Sequence, residues 1–173
     1  MACTTLDGTP QERLDAVARL AAAWARDPAV IALALRFDDD PARELLAWVQ
    51  SLPYASDPEG YDVVCGPAQV MREGGDCEDR AALLAALYAA RGWRARVAWQ
   101  TDDSAPEDHV TVQLFDGSSG WFWADPTVPG ARIGEEPHAA AARTGYRARL
   151  GLRTAGRVDD FGGMGTMYGG PPR

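Results

Sequence analysis

At Gly92 the hydrophobic period of the chain changes, and this switch limits the available folds more than any other feature of the sequence. Upstream, residues 77–91 read as a strong helix closed by Gly92, with Cys77, Ala81, Leu84 and Tyr88 on one face. Downstream, Trp93, Ala95, Val97 and Trp99 alternate with Arg94, Arg96 and Gln100, the two-residue period of a strand. Val110, Val112 and Leu114 alternate with His109, Thr111 and Gln113 in the same way. The turn "DGSSG" at 116–120 then sends the chain back through "WFWAD" as a hairpin. Nearer the N-terminus, Leu14, Val17, Ala18, Ala21 and Trp24 form one helical stripe, and residues 28–37 suit a second short helix. Asp40 and Pro41 then cap and start a helix that buries Leu45, Leu46, Val49 and Leu52. An Ala/Arg-rich segment beyond residue 137 suits a last helix. Helices first and antiparallel strands second define an α+β class, with the N-terminal helices packed on an antiparallel sheet.

The 173 residues suit one domain, expected over 1–156 with its core at about 40–135. Residues 157–173, rich in Gly and Pro, are expected to be a mobile tail that could engage an assembly partner. A net charge of −8 argues against nucleic acid as a partner. No apolar run approaches a membrane span, and the first residues do not read as a secretion signal. Three cysteines are few and odd in number, which argues against a disulfide scaffold and suits a reducing compartment such as the cytoplasm. Two histidines supply a Cys/His zinc site poorly, so neither metal nor cofactor is expected.

Within "REGGDCEDRAALLAAL", residues 72–87, Cys77 follows a Gly-Gly-Asp turn at the start of a helix. The unpaired amides and the positive dipole end of the helix then face its sulfur and favour a thiolate. The glycines permit a tight backbone approach, and Asp76 is placed to cap the helix. Asp76, Glu78 and Asp79 work against a thiolate wherever their charges face it, so they must point away, be capped, or be outweighed by a cation such as a protonated histidine. His109 begins a strand and Asp125 ends the strand that returns to it. If Phe115 faces Trp121, then Thr111 faces Asp125 and His109 is its diagonal neighbour. A tighter turn puts His109 and Asp125 directly opposite, and either register keeps them within cross-strand reach. Cys77, His109 and Asp125 thus suit the roles of nucleophile, base and orienter.

"GGDCEDRAALLAALYAARGWRARV", "DHVTVQL" and "WFWADPT", taken in this order, resemble the transglutaminase-like cysteine-enzyme superfamily, over roughly residues 50–130. The lead-in from "LPYASDPEGYD" to "GGDC" is similar to small bacterial and phage-borne members. The resemblance implies a papain-like α+β fold, with Cys77 as nucleophile, His109 as base and Asp125 as its orienter. A first oxyanion donor is the Cys77 backbone N–H; Gln69 and Tyr54 are candidates for a second.

Three readings follow. The first is thiol acyl transfer on a peptide or protein amide, ending in hydrolysis by water or in transamidation by an amine as in a transglutaminase; the lack of evident extra β-domains favours hydrolysis. The second is a non-catalytic binding or assembly module that keeps the fold. The third is a metal site of Cys77, His109 and Asp125. Among the remaining residues, Cys65 reads as structural, His138 as a surface residue, and Trp93, Trp99, Trp121 and Trp123 as sheet core. Asp102, Asp103, Glu107 and Asp108 read as a solvated loop that makes the cleft mouth acidic.

Overall fold

The computed structural model describes residues 3–100 and 109–146. In chain order the elements are β1 (Thr4–Thr5), α1 (Pro10–Trp24), α2 (Pro28–Ala34), α3 (Pro41–Gln50), β2 (Val63–Val64), α4 (Pro67–Glu73), α5 (Cys77–Ala90), β3 (Ala95–Gln100), β4 (His109–Phe115), β5 (Trp121–Ala124) and α6 (Pro137–Thr144). The expected tail and the acidic loop before His109 lie outside the described residues.

Local chemistry accounts for the helix starts. Thr9 and Glu12 close a reciprocal capping box on α1, and Asp27 caps α2 ahead of Pro28. At α3 the expected cap differs. The Asp40 side chain makes no capping hydrogen bond, and Glu44 instead reaches back to the Asp40 amide at 3.3 Å.

Helix α5 is the centre of the molecule, with every residue from Asp79 to Tyr88 buried. A helix that is apolar on all sides belongs in an interior. Helices α1, α2 and α3 pack against it, as do β3 and β4. Ala81, Ala82, Ala85 and Ala86 keep it narrow, while Leu83, Leu84 and Leu87 fill the space between the layers. The Tyr88 hydroxyl donates to the Ala42 carbonyl at 2.9 Å, which pins α5 to α3.

The main sheet has the order β3-β4-β5 and is antiparallel throughout, confirming the α+β class. Gln100 pairs with His109 and Ala95 with Leu114. Phe115 pairs with Trp121 and Val112 with Ala124, the first of the two registers considered above. The Asp116 carboxylate accepts from the amides of Ser118, Ser119 and Gly120 and holds the turn in that register. Ala95, Val97, Trp99, Val110 and Val112 face α5, and His109, Thr111 and Gln113 lie on the other face. Trp99 belongs to the core, whereas Trp121 sits half-buried on the outer face beneath the guanidinium groups of Arg94 and Arg96.

Two features depart from the sequence reading. The first is a second sheet, in which β1 pairs with β2; strands this short carry no legible period. The second is a disulfide between Cys3 and Cys65 beside that pairing. An odd count of three thus conceals one bridge and one free cysteine, Cys77. The inference of a reducing compartment loses its basis, because such bridges persist in oxidising surroundings. On the loop-entropy account, a bridge spanning 62 residues contributes about 4 kcal/mol. Thiol alkylation of the unreduced, unfolded chain is expected to modify one cysteine, and three after reduction. Cys3→Ser is expected to lower the melting temperature by several degrees; modification of three cysteines without reduction would contradict the bridge.

Candidate active site

Cys77 is the first residue of α5, and the backbone before it explains why two glycines precede it. Gly74 has φ 84°, and a Cβ there would collide with the Pro53 carbonyl; a Cβ at Gly75 would collide with the Asp79 side chain. The first collision arises because Pro53–Ala55 runs alongside this turn. The Gly75 amide donates to the Pro53 carbonyl at 3.2 Å, and the Ala55 amide donates to the Gly75 carbonyl at 3.3 Å. Asp76 then caps the helix as expected, accepting from the amides of Glu78 at 3.1 Å and Asp79 at 3.3 Å. The cap leaves the Cys77 amide to point out of the helix end.

His109 and Asp125 meet on the sheet face opposite Val110 and Val112, a face that is itself buried here, where the register puts them. His109 Nε2 lies 2.9 Å from Asp125 Oδ2, and both residues are buried. The other carboxylate oxygen, Oδ1, accepts from the amides of Thr127 at 2.8 Å and Val128 at 3.2 Å. Asp125 is therefore both a turn residue before Pro126 and the partner of the histidine. The backbone N–H of Val110, the residue after His109, lowers the Cys77 thiol, so the sulfur lies against the start of β4.

Electrostatics at the cysteine differ from the sequence expectation. Glu78 does not point away: the Cys77 thiol donates to Glu78 Oε2 at 2.8 Å. Burial, then the charges of Glu78 and Asp76, push the thiol well above its ordinary value. The resting group is therefore a neutral thiol, despite its place at a helix N-terminus. For His109, burial acts downwards, but the charge and hydrogen bond of Asp125, with Glu78 and Glu136 beyond, carry it above its ordinary value. Asp125 is held below the usual carboxylate range, since His109 and the two amides outweigh burial.

Of the two candidate oxyanion donors, Tyr54 is at this site and bridges to Gly75. Burial and the charges of Cys77 and Asp76 push its hydroxyl up. Gln69 lies on α4, with its amide oxygen 3.9 Å from the Cys3 sulfur at the disulfide. His138 is buried on α6 rather than exposed. Among the described residues, no group of three His, Cys, Asp or Glu side chains is arranged to hold a metal ion.

Two residues absent from the sequence reading complete the site. Arg80, 2% exposed, lies one turn after Cys77. Gln50 ends α3 and bonds to the backbone around Asp125. Arg80 did carry a signal, since an arginine inside a helix that is otherwise Ala and Leu must find partners once buried.

An α+β chain with a cysteine at a buried helix N-terminus and a His–Asp pair on the adjoining sheet has the core of a papain-like fold. The profile of the transglutaminase-like superfamily matches residues 32–126, more than half of the chain, and the chain belongs to that superfamily, whose chemistry is cysteine-based. It is also similar to two solved structures. One is a candidate cysteine protease from Cytophaga hutchinsonii, with 17% identity and a TM-score of 0.46 over 70% of this chain and 46% of that one. The other is EGTA-treated LapG from Legionella pneumophila, with 15% identity and a TM-score of 0.44 over 76% and 70%. The chain thus spans about half the length of the first of these structures. No curated protein matches it.

Burial pushes Asp76 up to about 8 and Asp79 up to about 7, and like charges from Glu78 and Asp57 act in the same direction. Carboxyls raised on folding bind protons more tightly in the folded chain, so they cost nothing below the ordinary carboxylate range and oppose folding increasingly as pH rises to about 8. The raised His109 acts in the same direction, its contribution being lost as pH rises through its folded value. Asp125 opposes this only at the acid end. In buffer containing a chelator, the melting temperature is expected to be higher near pH 5.5 than near pH 8.5, and Asp76→Asn to flatten the slope. A melting temperature that rises over this range would contradict the assignment.

Proposed function

We propose that Cys77, His109 and Asp125 catalyse thiol-dependent acyl transfer at an amide bond of a peptide or protein, with water as the usual acceptor. The observation that carries this reading is the buried His109–Asp125 pair at 2.9 Å, on the strand whose Val110 amide acts on the thiol of Cys77, the chain's one free cysteine. Asp125 occupies Nε2 of the ring, which leaves Nδ1 to exchange protons with the sulfur. Nδ1 takes the thiol proton as Sγ attacks the carbonyl carbon, and the C–O double bond opens to an oxyanion. The Cys77 amide at the helix end is the natural donor to that oxygen. Collapse breaks the C–N bond, and the departing amine takes the proton from Nδ1, leaving a thioester. His109 then draws a proton from water, the water oxygen attacks the thioester carbonyl, and the acid leaves as the thiol is restored.

The thiol that rests as a neutral S–H fits this sequence. It becomes nucleophilic as His109 takes its proton, and Asp125 stabilises the imidazolium that forms. An amine in place of water makes the same machinery a transglutaminase, so product analysis with and without added primary amine separates the two outcomes.

On a peptide or protein substrate, Cys77→Ala and His109→Ala are each expected to abolish turnover while the melt stays cooperative. Asp125→Asn is expected to retain more activity than Cys77→Ala, because it orients the ring rather than reacting. Intact-mass analysis after treatment with a thiol-reactive peptide electrophile is expected to show one adduct on the wild type and none on Cys77→Ala. Equal turnover by wild type and Cys77→Ala, per folded molecule, would refute the nucleophile.

A further inference from the structure

Asp125 can orient His109 only if its own backbone is fixed, and the residues that fix it come from two different helices. Gln50, the last residue of α3, donates through Nε2 to the Asp125 carbonyl at 2.8 Å and to the Ala131 carbonyl at 3.0 Å. Its Oε1 accepts from the Gly130 amide at 3.2 Å. This one side chain thus spans both ends of the turn after β5.

Arg80 holds the next residue of that turn. Its NH1 donates to the Pro126 carbonyl at 3.3 Å, its Nε to the Gly75 carbonyl at 2.9 Å, and its NH2 to the Leu52 carbonyl at 2.7 Å. The guanidinium also lies 5.4 Å from the centre of the Tyr54 ring. These three acceptors are backbone carbonyls of the nucleophile turn, the orienter turn and the segment just after α3. A planar fork with divergent N–H groups can serve all three at once, and a single ammonium cannot. Burying this cation costs free energy that a hydrocarbon side chain would not. Stability alone is therefore a poor reason for an arginine at this position.

We infer that Arg80 and Gln50 form a clamp that positions the Asp125 turn relative to the Cys77 turn, and so keeps the His109 ring aligned between carboxylate and thiol. Both act through the backbone and neither touches the reacting atoms; they are positioning residues. The inference rests on the triad reading for its catalytic meaning, but its test needs no turnover.

The test follows the His109 ring by NMR across pH in the full chain. The chain has two histidines, and His138→Gln assigns the signals. The charged groups acting on His109 are Asp125, Glu78 and Glu136. Arg80→Lys keeps the cation, so a change in that variant reports lost fork geometry rather than lost charge. Gln50→Met keeps size and removes all three hydrogen bonds without adding charge. In both variants the His109 midpoint is expected to fall from its raised position towards 6.5, its ordinary value, while the melt stays cooperative. A wild-type midpoint in a folded variant, even with a lower melting temperature, would make the clamp merely structural and overturn the inference. If Arg80→Lys does not fold, Gln50→Met decides alone. Loss of turnover in Cys77→Ala tests the enzyme reading separately, so the two can fail independently.

Discussion

The described part of the molecule is arranged around a helix that is buried on every side. Because α5 is buried on every face from Asp79 to Tyr88, helices and a sheet must enclose it, and chemistry is left to its first turn, where Cys77 is half-buried. A cysteine placed there receives outward-pointing amides and a strand edge, and the chain spends two glycines, a capping aspartate and a buried arginine on holding that turn. The position of the site thus follows from the packing of the core.

The charges at the site balance in an unusual way. Burial, with the charges of Glu78 and Asp76, keeps the proton of the nucleophile on sulfur. Against them stands Arg80, which burial lowers and the charges of Asp125 and Asp76, among others, hold up. The helix dipole alone does not make a thiolate here. The base that removes the thiol proton for attack must be His109, whose ring Asp125 biases towards the charged form.

Much of this was legible in the sequence because it depends on period and spacing. The change at Gly92, the helix start after Gly-Gly-Asp and the hairpin register that brings His109 to Asp125 all follow from residues near one another in the chain. The features that were missed depend on long-range partners. Cys3 and Cys65 are 62 residues apart, and the odd cysteine count hid their pairing. Gln50 meets a carbonyl 75 residues away, so nothing beside it announces the role. Glu78 was placed correctly on the helix, but its rotamer, which directs the carboxylate onto the sulfur, is not a property of sequence.

The central claim is that the neutral Cys77 thiol gains its reactivity from His109. The rate of Cys77 alkylation by iodoacetamide, followed across pH in the wild type and in His109→Gln, tests it directly. The account predicts that near pH 7 the wild type reacts faster by on the order of a hundredfold, the low end of what a positioned base contributes, and that the two profiles converge at alkaline pH. Superimposable profiles would mean that the histidine and the thiol are not coupled, and would contradict the account.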